Sequence, residues 1–342
     1  STLRLLVTRR LPQVAQARLD SIGAGIKVVQ WPHEEVPMPR DELLREMSRA
    51  DGLLCLLTDA VDEELLDAAG DRCRVVSTMS VGVDHIQVAA CSERGIPVGH
   101  TPGVLDAATA ELAATLTMAV ARRVVESVDT LRSGKVPAWS PLFLCGADLA
   151  GSTVGVVGLG RIGQRYARIM KHGFGCNILY TGSSRKQEAE EALGGARYCS
   201  LDELLASSDV VSLHCPLTER TRSLVGRSQL KAMKETAILI NTARGPIVDQ
   251  EALLWAVNEG QIRGAGLDVT DPEPLPADHP LLHHPRVTVL PHIGSATEDA
   301  RGKMASLAVD NLLAGLLGDG AIVRGGSRQL PHQANPGTPL KV

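Results

Sequence analysis

Residues Thr153-Val-Gly-Val-Val157 form a short apolar run that passes directly into Gly158-Leu-Gly160-Arg161-Ile162-Gly163 and then into the amphipathic stretch 164–171. A buried parallel strand, a tight turn and a helix satisfy that order. Gly158 permits the turn, Gly160 lets a ligand approach the backbone, and Gly163 lets helix and strand pack closely. Glycines also serve ordinary turns, so the spacing alone is weak evidence. Its place between a strand and a helix gives it weight. The free N–H groups and the dipole of the helix start favour an anion, and a dinucleotide pyrophosphate fits that role. Gly158, Gly160, Arg161, Ile162 and Gly163 are therefore candidate cofactor contacts.

The rest of the chain alternates in the same way. Strands are predicted at 3–7, 27–30, 52–57 and 75–78, separated by helices at 11–22, 40–49 and 62–69. Further strands are predicted at 177–181, 210–214, 237–241, 265–269 and 287–290. The pattern is that of an α/β chain with two Rossmann-like, doubly wound parallel-sheet domains and a cleft between them. A length of 342 residues, at roughly one domain per 150, agrees. Residues 104–120 are apolar on nearly every helical face, which requires burial between domains or against another subunit. The segment 136–146 holds Trp139 and Phe143, two of the chain's eight aromatic residues, among prolines that forbid a regular helix. Such an apolar loop needs cover, and a partner subunit is the expected source.

Composition narrows the partner class. A net charge of −4 and an aromatic share of 2% leave neither a basic field nor stacking platforms for nucleic acid. The apolar stretch 112–121 is far shorter than the roughly 20 residues of a membrane span. No membrane association is expected. The seven cysteines include no Cys-x-x-Cys pair and read as reduced thiols of an intracellular protein, so the expected location is cytoplasmic. The first residues carry no recognisable signal peptide. Residues 318–342 are rich in Gly, Pro, Ser and Gln, lack periodicity and are expected to be disordered.

The strand at 177–181 ends where an NAD-selective site would carry an acidic residue for the ribose hydroxyl. Here the chain has Gly182-Ser183-Ser184-Arg185-Lys186. Hydroxyls with two cations suit a 2′-phosphate, so NADPH is the expected cofactor, with NADH weaker. The competing reading is that Arg185 and Lys186 simply begin a solvated helix.

Three side chains then follow strand-like runs: Arg244 after AILIN, Glu273 after GAGLDV, and His292 after VTVL. A guanidinium forks onto a carboxylate, an imidazole moves a proton near neutral pH, and a neighbouring carboxylate favours the imidazolium form. Together they suggest reduction of a 2-oxo acid. His85, His214, His283 and His284 have no such setting and read as structural hydrogen-bonders.

The glycine fingerprint, the Asn241-Thr-Ala-Arg-Gly245 segment, 268–273 and Pro291-His-Ile-Gly294 resemble the D-2-hydroxyacid dehydrogenase family. Within it, Leu53-Leu-Cys-Leu-Leu57, 77–85, Leu142-Phe-Leu-Cys-Gly146 and 266–276 are similar to the animal reductases of glyoxylate and hydroxypyruvate. The resemblance runs from about residue 3 to 318. It implies a substrate-binding domain in two pieces, 1–103 and 293–317, around a nucleotide domain at 104–292. Arg244 would bind the substrate carboxylate, His292 would exchange the proton, and Glu273 would support the imidazolium. The resemblance further implies substrate contacts from Leu57, Val81, Gly82, Asp268, Ser295 and Trp139. Pro216, Thr242, Asp268 and Gly294 would join the cofactor contacts. A homodimer is implied, with Trp139 lining the neighbouring site, and no metal. Two rivals share the fold: nucleotide-gated corepressor scaffolds, which usually carry long disordered extensions, and dehydrogenases of other 2-hydroxy acids.

Overall fold

The computed structural model describes residues 2–23, 25–318, 322–324 and 327–340. They fall into two compact units, residues 1–105 with 297–342, and residues 106–296.

The first unit is built on five parallel strands: β1 (Leu3–Val7), β2 (Ile26–Gln30), β3 (Gly52–Cys55), β4 (Val75–Thr78) and β5 (Val98–Gly99), in the order β2-β1-β3-β4-β5. The chain winds outward from β1 to β2, then crosses back to β3 and continues to β5. The carboxyl ends of such strands, near this reversal, are where doubly wound sheets bind ligands. β3 and β4 are buried along their whole length, as interior parallel strands must be. Much of that cover comes from the distant helix Glu298–Leu317, started by the Thr297 hydroxyl, which accepts from the Ala300 amide at 3.2 Å. A side chain at Gly315 would stand 2.5 Å from Val75, so its absence lets this helix lie on the sheet. Each Leu or Val buried beneath it contributes roughly 1.5–3 kcal/mol.

The second unit carries β6 (Thr153–Val157), β7 (Asn177–Thr181), β8 (Arg197–Tyr198), β9 (Val210–Leu213), β10 (Ile238–Asn241), β11 (Gly264–Leu267) and β12 (Val287–Val289). Their order is β12-β11-β10-β9-β6-β7-β8, all parallel. Both units therefore have the expected doubly wound α/β architecture.

Three expectations are corrected. The apolar helix spans Asp106–Ala121 rather than 104–120, and its face with Ala110, Ala113, Ala114, Leu116 and Val120 packs into the core of its own unit. Gly266 in β11 leaves room for it, since a side chain there would lie 3.1 Å from Val120 and 3.3 Å from Leu116. Thr117 and Tyr166 bond across to the neighbouring helix at 2.9 Å. One face of the helix is thereby buried within its unit, while Met118 on the other side stays 38% exposed. The helix of the glycine motif spans Arg161–Phe174 instead of 164–171, so Arg161, Ile162 and Gly163 form its first turn.

The third correction concerns the tail. Residues 330–338 do not dangle: Ala334 donates to the Val98 carbonyl at 2.7 Å and the Asn335 side chain accepts from the Val98 amide at 2.8 Å. Leu330 and Asn335 are buried. The physical reason is that β5 is an edge strand with unpaired backbone groups, which this segment satisfies. Ile322–Arg324 and Ser327–Gln329 pair antiparallel. Residues 319–321, 325–326 and 341–342 of the predicted disordered tail lie outside the described residues.

Among the described residues no helix is long and apolar enough to cross a membrane, and no cluster of His, Cys, Asp and Glu could hold a metal ion. All seven cysteines are free thiols, and burial pushes those of Cys91 and Cys215 up to about 11.

Candidate active site

In the second unit, β10, β11 and β12 are consecutive neighbours, with Asn241 paired to Leu267 and Leu267 to Val289. Chain segments about 25 residues apart therefore leave the sheet at one edge. Arg244 follows β10, Asp268 and Glu273 follow β11, and His292 follows β12. This strand order, not any local motif, places the three residues beyond the same ends of neighbouring strands; the Arg244 guanidinium donates to the Ala243 carbonyl at 2.7 Å.

His292 Nδ1 and Glu273 Oε1 form a short hydrogen bond. The imidazole is one-quarter exposed and the carboxylate somewhat more, so the pair is held by protein yet open to a ligand. Because Nδ1 faces the carboxylate, Nε2 is the ring nitrogen left for other chemistry. The other Glu273 oxygen accepts from the Thr270 amide at 3.3 Å. The backbone of His292 has φ 55°, a left-handed conformation, and its N–H donates to the Asp268 carbonyl at 2.9 Å.

Asp268 has a role the sequence reading missed. Its carboxylate is almost fully buried and accepts two amides, Ile293 on one oxygen and Gly294 on the other, both at 2.8 Å. Burial pushes its carboxyl up from the usual range, and those two amides with His292 oppose the shift. The side chain thus stitches the turn that carries His292. Gln250, also missed, clamps Asp271 by its amide and carbonyl, the Asp271 amide reaching Gln250 Oε1 at 2.9 Å. No periodicity or motif flags a glutamine in the first turn of a helix as support for a loop twenty residues on. Asn241 orders the Arg244 turn, accepting from Ala243 N at 3.0 Å and donating to the Arg244 carbonyl at 2.8 Å.

The other edge-lining residues of this unit occupy the same carboxyl ends. Gly158 has φ 97°, a conformation that favours glycine, and its N–H donates to Thr181 O at 2.9 Å. Ser183, Ser184, Arg185 and Lys186 follow β7 and are exposed. Arg185 is paired with Glu190 at 2.8 Å, and that guanidinium, with the Tyr180 hydroxyl, holds the Glu190 carboxyl down to about 2. The guanidinium is thus already oriented by a carboxylate, which the sequence reading did not foresee. Pro216 follows β9, Thr242 follows β10, and Gly294 and Ser295 follow His292. The buried Thr242 hydroxyl has no partner among the described residues, which suits a group that waits for a ligand. His214 is a structural histidine: burial lowers its pKa to about 3, and it bonds Ser212 at 2.8 Å.

Leu57, Val81 and Gly82 belong to the first unit, beyond the carboxyl ends of β3 and β4. Trp139 lies on an exposed loop of the second, at 89% of its full accessible area.

The glycine turn fits a dinucleotide. A side chain built at Gly160 would meet nothing within 4 Å, so the space beside that backbone is open. One at Gly163 would stand 2.2 Å from the Gly158 carbonyl. The two glycines therefore make different predictions. Gly160→Ala should keep the melting temperature within about 1 °C and weaken dinucleotide binding by roughly tenfold, by the fold-change that 1.4 kcal/mol represents. Gly163→Ala should lower both affinity and stability, the latter by about 1–3 kcal/mol of overpacking. Calorimetric melting with and without cofactor separates the two, and equal melting losses would sink the distinction.

Comparison with known proteins fits this geometry. Residues 114–294 match the model for the D-isomer specific 2-hydroxyacid dehydrogenase NAD-binding domain. The chain is 47% identical over 318 residues to human glyoxylate reductase/hydroxypyruvate reductase, covering 93% of this chain and 96% of that one. A solved protein of Thermus thermophilus superposes with a TM-score of 0.86 at 46% identity, over 97% of this chain and all of that one. An NADPH-dependent glyoxylate/hydroxypyruvate reductase of Sinorhizobium meliloti, solved with NADP and malonate, gives 0.80 at 30% identity over 99% and 98%.

Proposed function

Since the chain belongs to the D-2-hydroxyacid dehydrogenase family, we propose that it is an NADPH-dependent reductase of glyoxylate and hydroxypyruvate, forming glycolate and D-glycerate reversibly. The family gives 2-oxo acid reduction and an NAD(P)-binding domain. The observation that supports the finer reading is the His292–Glu273 pair, set two strand spacings, about 10 Å, from the strand that delivers Arg244.

When bound, the reduced nicotinamide supplies the hydride. Arg244 forks onto the substrate carboxylate and fixes the face of the carbonyl. His292 Nε2 donates a proton to the carbonyl oxygen as negative charge develops there, and takes it back in the oxidative direction. Glu273 holds the ring by Nδ1, which leaves Nε2 for the substrate. In the first unit the Val81 and Gly82 amides are the proposed donors to a substrate carboxylate and Leu57 an apolar substrate contact; in the second, Asp268 and Ser295 are the further proposed substrate contacts. Gly158 to Gly163, Pro216, Thr242, Asp268 and Gly294 hold the dinucleotide.

Ser183, Ser184, Arg185 and Lys186 are proposed to hold a 2′-phosphate, and the NADP-bound relative supports this reading. Arg185→Ala should lower kcat/KM with NADPH about tenfold, near the lower end of what a charge-assisted hydrogen bond contributes, and leave NADH within about twofold. Steady-state kinetics of wild type and variant on glyoxylate and hydroxypyruvate with both cofactors test this reading. A wild type that prefers NADH or reduces neither acid would overturn it.

A cytoplasmic homodimer completes the proposal. Leu142 is 85% exposed beside Trp139, and Val124, Val128 and Leu131 are exposed on the helix Val124–Arg132. Their own unit leaves this apolar surface uncovered, and a second copy would bury it, bringing Trp139 to the neighbouring site.

A further inference from the structure

We infer that Ser80 and His100 are positioning residues that hold the Val81–Gly82 turn with its amides free for an anion, and thereby set affinity for the substrate carboxylate. This rests on the proposal above that those amides receive that carboxylate.

Three successive carbonyls of the turn are each tied down. Ser80 O accepts from the Thr101 amide at 2.8 Å, Val81 O bonds His100 Nδ1 at 3.0 Å, and Gly82 O accepts from the Ser80 hydroxyl at 2.7 Å. In a trans peptide the N–H points opposite to its carbonyl. Anchoring those carbonyls therefore directs the N–H groups of Val81, Gly82 and Val83 the other way. Among the described residues, the Val81 and Gly82 amides have no acceptor in the protein. Consecutive free amides of this kind form an anion-binding concavity.

Proton counting fixes the supporting network. A carbonyl only accepts, so His100 carries its proton on Nδ1. Ser80 has one proton, and Gly82 O receives it. The 2.9 Å contact between Thr78 and Ser80 must then use the Thr78 proton. The 3.0 Å contact between His85 and Thr78 must in turn use a proton on His85 Nε2. The result is a one-way chain from His85 through Thr78 and Ser80 to the turn. Thr78 and Ser80 are buried, so each bond acts in a medium that strengthens it.

His100 is held from behind. Its carbonyl accepts from the Asn311 side chain at 2.9 Å and its amide donates to His332 O at 3.1 Å. The last helix and the tail thus root the ring that steadies the turn.

The test uses the full chain and oxalate, a non-reacting dicarboxylate. Ser80→Ala and His100→Phe should each raise the KM for glyoxylate and the inhibition constant of oxalate about five- to tenfold. The KM for NADPH and kcat should stay within about twofold. Ser80→Thr, which keeps the hydroxyl, and His100→Asn, whose amide N–H replaces Nδ1–H, should restore oxalate binding. Folded variants with unchanged oxalate inhibition, or with equal weakening of NADPH, overturn the inference. Should Ser80→Ala fail to fold, the His100→Phe and His100→Asn pair decides alone. A wild type inactive on every 2-oxo acid would instead overturn the proposed function, so the two failures are distinct.

Discussion

Replacing His292 by Asn is expected to lower kcat/KM for glyoxylate by more than about 100-fold, the lower bound of a typical acid–base contribution. Asn is the informative substitution because of the backbone. His292 sits at φ 55°, and for most L-residues such a conformation costs roughly 1–2 kcal/mol, whereas Asn tolerates it. His292→Ala should lose at least as much activity but would add that backbone cost. The Asp268 carboxylate grips the next two amides, Ile293 and Gly294, independently of the His292 ring. The turn should therefore survive the substitution, and NADPH affinity should stay within about twofold. Stopped-flow or steady-state rates, with equilibrium NADPH binding as the control, measure both quantities. Near-normal turnover by His292→Asn would refute the assigned proton transfer.

The parts of the fold legible in the sequence were those whose cause is local. β4, β6 and β7 span the predicted residues, because each is a buried apolar run closed by a turn. The glycine motif was legible for the same reason, since strand, turn and helix start are contiguous. What escaped depends on strand order. Gly266 looks like a weak point in a strand until β11 is placed under the helix Asp106–Ala121, where the missing side chain makes room for Leu116 and Val120. Polar tail residues around Asn335 suggest disorder until the open edge of β5 is there to receive them.

The candidate site divides in the same way. Arg244, Glu273 and His292 could be singled out by residue type at strand ends. The groups that hold them could not: Gln250 acts on Asp271, Asn241 acts on the Arg244 turn, and Asp268 acts across to the segment after β12. Their partners lie up to 26 residues away and are backbone atoms, which carry no sequence signal.

Arg244→Ala is expected to reduce kcat/KM by more than about 100-fold, and Arg244→Lys to recover no more than about a tenth of the lost activity. The Asn241 side chain holds both Ala243 N and Arg244 O, and Gly245 lies so close to Thr270 that an added side chain would stand 2.0 Å from its carbonyl oxygen. The origin of the Arg244 side chain is thus fixed, and a substituted residue cannot shift its backbone to compensate. From that origin a guanidinium offers two parallel N–H groups to a carboxylate, while an ammonium offers a point charge with no preferred plane. Lysine should therefore restore attraction but not orientation. The loss should appear in kcat as well as KM, because a carboxylate held by charge alone lets the carbonyl turn away from the His292 proton. Free guanidinium added to Arg244→Ala should recover part of the rate, since it returns the planar fork. A Lys variant with wild-type kcat would show that charge alone suffices, and would remove the case for a bidentate clamp.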